Sequence, residues 1–519
     1  MYTDPASGAS GSRRDRLHRN SASAVSASRR DRLPATVFSA PAAEGVILCT
    51  CGIVEASEHV RRRRSRAAAE RALPREMPGT AGKAGGATEE NTMKLSVPYG
   101  GCFGEVDFHA ADVRLLQTEA KTDVDEASTF VSALGSPIES PVLGDFLRGA
   151  EDAVVIVNDA KRPTPTARVL AHIGPELAAV RELLFIVATG THRDPTKDEL
   201  DRILGGAVPS GARVAVHDSK DSSAMRRLGR TPLGTDVGIS RLVTDVSRIV
   251  VIGSVEPHYF AGFTGGRKAF LPGVAAYETV RQNHSHAMHP GSKLMALEGN
   301  PVHEDMMDAL GLLEDARRFE LKTPEAVGDA GIFAIMTVLD KRHQICGAFA
   351  GDLRATFRPA VDMARGLYAV QIDRKADIVI AVAEDPADSD LYQAHKAIES
   401  GKLALAEGGI LILVAACPEG LGNDSFVCQL SSSGCPEEVA GDIGLEYSLG
   451  DHKAVKLAEL MTRSEIWAVT QLPEDTVSSI FFRPYRELKK AVDDALRIKG
   501  PRASVLVILD AAATVPYLA

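Results

Sequence analysis

His258 and Lys268 stand ten residues apart in the stretch VEPHYFAGFTGGRKAFLPG (255–273), and Gly265 and Gly266 directly precede Arg267 and the lysine. A histidine titrates near neutral pH and can move a proton. A lysine beside a glycine pair can serve an anion or a covalent tether. Three further clusters carry the same kinds of group. NDAKRPTPT (158–166) holds Asp159 and Arg162, and the planar fork of an arginine matches a carboxylate or phosphate. TGTHR (189–193) holds His192, and the opening loop itself runs on into AAYETVRQNHSHAMHP (275–290), with His284, His286 and His289. DSDLYQAHKAIES (388–400) holds Tyr392, Gln393, His395 and Lys396.

Each cluster alone has a bland reading. A lone histidine is most often a solvated or core residue. QNHSHAMH lacks the carboxylate-supported spacing of zinc helices, and GG-x-K lacks the spacing of a P-loop. Cys49-Thr50-Cys51 has no partners at zinc-finger spacing. What matters is position, and that depends on the elements between the clusters.

Short apolar runs recur at 153–159, 183–190, 213–218, 248–255, 377–383, 409–417, 465–471 and 504–510. Helical patterns such as ARVLAHIGPELAAVREL (167–183) lie between several of them. Continuous apolar strands alternating with amphipathic helices predict α/β architecture, with mostly parallel sheets covered on both faces. LRATFRPAVDMARGLYAV reads as a helix joining two α/β units. The expected domains are therefore 93–360 and 361–500, with 501–519 assignable to either. Ligands of such sheets sit beyond the carboxyl ends of the strands. All four clusters follow predicted strands, so the site is expected in one crevice between the domains.

At 519 residues the chain is too long for one core, and its net charge of −10 argues against nucleic acid as the main partner. No run of about 18 apolar residues predicts a membrane span. Seven irregularly spaced cysteines suit a reducing cytoplasm. The first 92 residues differ in kind. They are rich in Arg, Ala, Ser and Gly, repeat SRRDRL, and contain RRRRSR at 61–66. Without hydrophobic periodicity they are expected to be a disordered basic extension. Met93 opens MKLSVPYGG, which reads as a natural start, so residues 1–92 are expected to be dispensable for folding.

The order NDAKRPTPT, ATGTHR, EPHYFAGFTGGRKAFLPG, NH and LYQAHKA resembles the nickel-pincer lactate racemase family of 2-hydroxyacid racemases and epimerases. The resemblance spans about 93–519 and includes the steps from His192 to His258, from His258 to Lys268 and from His258 to His284. Lys161 departs from it, at a place where a small hydroxyl residue is expected before the arginine. The resemblance implies a cofactor, a nickel pincer nucleotide made from a nicotinate-type mononucleotide. Lys268 matches its covalent tether and His284 its nickel ligand. Gly265 and Gly266 would lie near its phosphate. Asp159 falls with the cofactor contacts and would orient a neighbour rather than react. Soft sulfur donors and one imidazole in a plane suit Ni(II).

The same resemblance implies the chemistry. A C2–H bond beside a carboxylate is a very poor acid, whereas loss of hydride avoids a doubly charged carbanion. A racemase must then serve both faces of a planar keto acid, and His192 and His258 match the two bases. Arg162 would hold the carboxylate, with Tyr392, Gln393 and Lys396 closing from the second domain. The partners implied are a small 2-hydroxy acid and, transiently, the cofactor-making enzymes. Lactate, malate, a longer hydroxy acid and a sugar acid all fit the sequence. Two other readings stand beside this one: a metal-dependent hydrolase or lyase acting on a small carboxylate, and a non-catalytic nucleotide- or cofactor-binding protein.

Overall fold

Each of the apolar runs named above forms a strand, and most are apolar stretches buried on both faces; the edge strand Arg213–Val216 is the partly exposed exception. Val154, Val155, Ile156 and Val157 are all at most 1% exposed, and so are Ile249, Val250, Val251 and Ile252. The structure, a computed structural model, describes residues 93–108, 112–118, 124–321, 330–422, 424–441 and 447–518. The basic arm and the Cys49–Cys51 pair lie outside the described residues. All described residues belong to one compact unit, Ala87–Ala519, built around two six-stranded sheets.

The first sheet runs, edge to edge, Ile345–Gly351, Ile332–Leu339, Arg248–Ser254, Asp152–Asn158, Glu182–Ala188 and Arg213–Val216. Only Ile345–Gly351 is antiparallel to its neighbour. The chain builds outward from Asp152–Asn158 in one direction, then returns beside it with Arg248–Ser254. The order therefore reverses between these two strands, and a crevice opens beyond their carboxyl ends. Their ends are stitched together there. Asn158 Nδ2 donates to Thr164 Oγ1 (2.6 Å), which lies 2.7 Å from Ser254 Oγ.

The second sheet is wholly parallel, in the order Arg483–Tyr485, Glu465–Val469, Leu405–Val414, Ala376–Val382, Ser504–Ile508 and Asp112–Leu116. It too reverses, between Ala376–Val382 and Ser504–Ile508. The helix Leu391–Gly401, carrying Tyr392, Gln393 and Lys396, follows the first of these strands. The helix Leu353–Tyr368 joins the two lobes, as its pattern predicts. Apolar clusters cover both faces of each sheet.

The domain expectation needs one correction. Residues from 93 were assigned to the first lobe, but the described residues begin in the second. The hairpin of Met93–Tyr99 with Cys102–Phe108 buries Val97, Val106 and Phe108 against Ile378, Ile412 and Trp467. Asp112–Leu116 then occupies the edge slot beside Ser504–Ile508, and this also places the terminal strand in the second sheet. A five-residue edge strand leaves little periodic signal, and its partner lies almost 400 residues away.

Trp467 is the chain's one tryptophan and sits, fully buried, in the cluster that holds Phe108. Phe108→Ala is expected to cost about 3–5 kcal/mol. The loss should appear as a lower denaturation midpoint in Trp467 fluorescence. An unchanged midpoint would mean that the hairpin does not belong to the second core.

Candidate active site

The crevice of the first sheet contains a cavity of about 50 Å³ whose walls include Asp159, Arg162, His192, Gly265, Gly266 and Lys268. These residues come from the three loops that follow Asp152–Asn158, Glu182–Ala188 and Arg248–Ser254.

His192 is placed by its own loop. Thr196 and Glu199 cap the helix Lys197–Leu204 reciprocally, and Glu199 also clamps Arg193 through two 2.7 Å bonds. That arginine holds the Glu199 carboxyl well below its usual range. Gly190 N–H donates to Gly273 O (3.0 Å), tying this loop to the end of the lysine loop. His192 keeps about half its side chain exposed, while its Nδ1 lies 2.7 Å from Oδ2 of the buried Asp159. A carboxylate only accepts, so Asp159 fixes the proton on Nδ1 and leaves the Nε2 lone pair free to take another.

The lysine loop is held by a residue whose role the sequence reading missed. Arg267 is 1% exposed and donates to four carbonyls of its own loop, those of Ala261, Phe263, Thr264 and Gly265. Its guanidinium also lies 4.6 Å from the centre of the Phe357 ring. Burial lowers its pKa to about 9. Arg267 thus staples the loop, while the adjacent Lys268 faces the cavity. Gly265 and Gly266 both have positive φ. A Cβ on Gly265 would lie 2.6 Å from Val255, and one on Gly266 would lie 2.9 Å from Phe357. The Gly266 amide points inward, to the sulfur of Met336 at 3.4 Å. The expectation of two glycine amides at a phosphate therefore gives way to a steric role for Gly266.

His258, in the short ladder of Pro257–His258 with Gly262–Phe263, stacks on Tyr259 (5.1 Å) and meets the Phe260 edge (4.6 Å). The Ala261 amide donates to its Nδ1 at 3.3 Å, so the neutral ring carries its proton on Nε2. His192 and His258 therefore rest in opposite tautomers. Phe260 also packs against His284 (5.0 Å), and its ring centre is 5.5 Å from Lys268 Nζ.

Electrostatics join these groups to the second lobe. Burial, then the charges of Lys268, Arg162, His284 and Lys396, hold His258 well below the usual imidazole range. Burial, then Arg162 and Arg267, lowers Lys268. Burial, then Lys268 and His452, lowers His284. Lys396 falls to about 8 through burial and then Arg162. Lys396 therefore reaches the Arg162–His258 neighbourhood from the other lobe. Arg162, Lys268 and Lys396 make no ion pair among the described residues. A crevice lined with cations lacking carboxylate partners favours anions.

The remaining predicted residues sit further back. Tyr392 carries Lys453 over its ring, with Nζ 3.0 Å from the centroid, and its carbonyl accepts from the same ammonium (2.8 Å). Gln393 donates its backbone N–H to Asp390 (2.8 Å), capping the helix. His286 and His289 do not join His284 in a metal cluster. Among the described residues no three His, Cys, Asp or Glu gather as one.

The helix Asp451–Met461 was not singled out from sequence. It brings His452 between Tyr259 of the first lobe (2.8 Å from Nε2) and Tyr447 of the second (2.6 Å from Nδ1). Lys456 Nζ donates across to Ser292 O (2.6 Å). The only signal for this clasp was the dipeptide His452-Lys453 at the start of an amphipathic run.

The fold is a two-lobed α/β architecture with histidines and cations gathered at the crevice of the first sheet. The family models for the lactate racemase N-terminal and C-terminal domains match residues 104–295 and 371–515. A lactate racemase from Lactiplantibacillus plantarum is 30% identical over 402 residues, which are 74% of this chain and 89% of that protein. One from Thermoanaerobacterium thermosaccharolyticum is 29% identical over 433 residues, covering 80% and 97%. The structure of the lactate racemase apoprotein from the latter organism aligns with a TM-score of 0.74 at 28% identity, covering 82% of this chain and all of that one. A Thermotoga maritima protein shares the fold, with a TM-score of 0.57 at 17% identity, covering 73% and 96%. The chain belongs to the lactate racemase family and is an isomerase, a racemase. No helix among the described residues is long and apolar enough to cross a membrane.

Lys396 yields a pH test. Its ammonium is charged below about 8 and neutral above. Affinity for a 2-hydroxy carboxylate should therefore fall as pH rises through that value. Lys396→Met should bind weakly at neutral pH and lose that alkaline dependence. KM measured for both enantiomers from neutral to alkaline pH checks this, and an unaltered alkaline limb in the variant would remove Lys396 from the site.

Proposed function

We propose that this protein inverts C2 of a lactate-like 2-hydroxy acid in the cytoplasm, using a nickel pincer nucleotide and His192 and His258 as acid and base. The observation that carries this reading is the convergence of a carboxylate-oriented histidine, His192, with Arg162 and Lys268 at the reversal point of the first sheet, where His258 and Lys396 lie within electrostatic reach. The relatives' activity on lactate supports lactate as the substrate class.

The residues fit the cofactor on two counts. Its phosphate and carboxylate charges would meet Lys268 and Arg162, cations that no acidic side chain of the described protein neutralises. A bare catalytic metal needs three or so protein ligands, and none of the described residues form such a set. This supports a metal whose other ligands arrive with an organic group, His284 adding one imidazole and Lys268 the tether. It also weighs against the zinc hydrolase reading, while the oriented His192 weighs against a mere carrier. When bound, the cofactor supplies an acceptor for the C2 hydride and returns it.

The chain's own residues do the rest. Arg162 pairs with the substrate carboxylate in a two-bond fork. The hydroxyl proton passes to Nε2 of His192, where Asp159 stabilises the imidazolium that forms. Delivery of a proton to the keto oxygen from the other side falls to His258. Burial and then the surrounding cations favour the neutral ring, and an anion bound among those cations would raise its proton affinity again. Lys396 brings a charge from the second lobe and helps exclude water from the oxidised intermediate. The enzymes that make the cofactor are transient partners on this reading.

The two histidines give the test. His192→Gln and His258→Gln should each abolish net interconversion, since a positioned acid–base group is worth roughly 10²–10⁴-fold. Each variant should still oxidise the enantiomer whose base remains. Cofactor absorbance after mixing with each pure enantiomer reads the half-reactions separately. If one variant lost both halves while the other kept full racemase activity, the two-base reading would fail.

The tether is tested by intact mass. Protein produced with the cofactor-making enzymes should carry an adduct that Lys268→Ala lacks. An adduct of the same mass on the variant would assign the tether to another residue.

A further inference from the structure

His284 owes its ring orientation to its own chain neighbour. In the helix Tyr277–Ser285, Asn283 is fully buried, and every polar atom of its amide is engaged. Nδ2 donates to Val302 O (3.2 Å) and to Asp305 Oδ2 (2.8 Å). Oδ1 lies 3.2 Å from His284 Nδ1. Asp305, on the helix Pro301–Leu321, is also fully buried and takes two hydroxyls, from Thr231 and from Thr235 (2.8 Å). The Thr231 oxygen in turn accepts the Thr235 N–H (3.1 Å).

The direction of this chain is determined at every link. A backbone carbonyl and a carboxylate can only accept, so the NH₂ of Asn283 must face Val302 and Asp305. Its oxygen must then face His284, and that oxygen also only accepts. The Nδ1 of His284 must therefore bear the proton, and the neutral ring keeps its lone pair on Nε2.

We infer that Asn283 and Asp305 are positioning residues for the metal site: they hold His284 as the Nδ1–H tautomer and so present Nε2 as the ligand atom. The inference rests on the proposal that His284 binds nickel. Histidines that bind metals commonly donate their second N–H to a carboxylate or carbonyl, and losing that partner typically costs 10–100-fold in affinity. Here an amide stands between the imidazole and the carboxylate. Asp305 locks the amide against flipping, and the two threonines lock Asp305. A network that served packing alone would have no need to end on a histidine.

The test uses the full-length enzyme loaded with cofactor and nickel, and follows nickel release into excess EDTA rather than turnover. Asn283→Leu has nearly the same size and removes the acceptor. It should release nickel about 10–100-fold faster than the wild type. His284→Ala is the control. If His284→Ala released nickel at the wild-type rate, the ligand assignment would fall and this inference with it. If His284→Ala released it fast but Asn283→Leu did not, only the positioning role would fall. The tautomer can also be read without the leucine variant, should it not fold. In ¹⁵N-histidine-labelled full-length protein, the His284 signal, identified by its loss in His284→Ala, should report Nδ1–H. A signal reporting Nε2–H would overturn the inference.

Discussion

The structure is organised around the cost of keeping basic groups together without carboxylates to neutralise them. Burial first, and then the charges of neighbouring cations, lowers the proton affinity of Lys268, Lys396, His258 and His284. Removing a charge from water costs several kcal/mol unless a partner compensates it. Some cations of this protein have that partner, as Arg193 has Glu199 and Arg354 has Glu314, while the buried Arg267 bonds carbonyls instead. The crevice cations do not. On the proposed reading a ligand of opposite sign repays that cost, and anion binding is the constraint that the scaffold would serve.

The scaffold serves it by separating the group that reacts from the group that holds. Arg267 and Lys268 are adjacent in sequence and both buried. One spends its donors on the carbonyls of its own loop, and the other makes no hydrogen bond to the protein. Asp159 and His192 divide in the same way, with the carboxylate buried and the imidazole half in solvent. Asn283 and His284 form a third such pair. In each case the side chain proposed to act stands beside a buried neighbour held by its own contacts, so little conformational freedom would remain to be lost when a ligand binds.

The sequence made much of this legible, for reasons that also mark its limits. Strands buried on both faces announce themselves as apolar runs, and the residues after them could be placed at one edge because parallel sheets put their crevices there. The hairpin from Met93 was assigned to the wrong lobe because pairing between Asp112–Leu116 and Ser504–Ile508 spans almost the whole chain and leaves no local trace. Arg267 was overshadowed by Lys268, since nothing in GGRK says which cation turns inward. The glycine pair read as a phosphate cradle, but the Gly266 amide faces Met336, a contact made by a strand 70 residues away. His452 was missed because a single histidine at a helix start resembles a solvated one until Tyr259 and Tyr447 close on it.

That clasp shows why the second lobe matters to residues of the first. Tyr259 stacks on His258 and, through its hydroxyl, meets His452. A neutral imidazole has one donor and one acceptor nitrogen, so His452 can bind both phenols at once only if one gives a proton and the other receives one. The chain Tyr447–His452–Tyr259 is thus directional, and it crosses from lobe to lobe directly behind a proposed base. The charge of Lys396 also lowers the proton affinity of His258, after burial and the nearer cations. The second lobe therefore acts on His258 in two ways, through the hydrogen bonds of Tyr259 and through charge. His192, held by Asp159 and exposed to solvent, depends on the first lobe alone. The two histidines are unlike in burial, tautomer and support. On the proposed two-base reading, in which one ring gives a proton to one face of a planar intermediate and the other takes one, that asymmetry would let each ring be set independently.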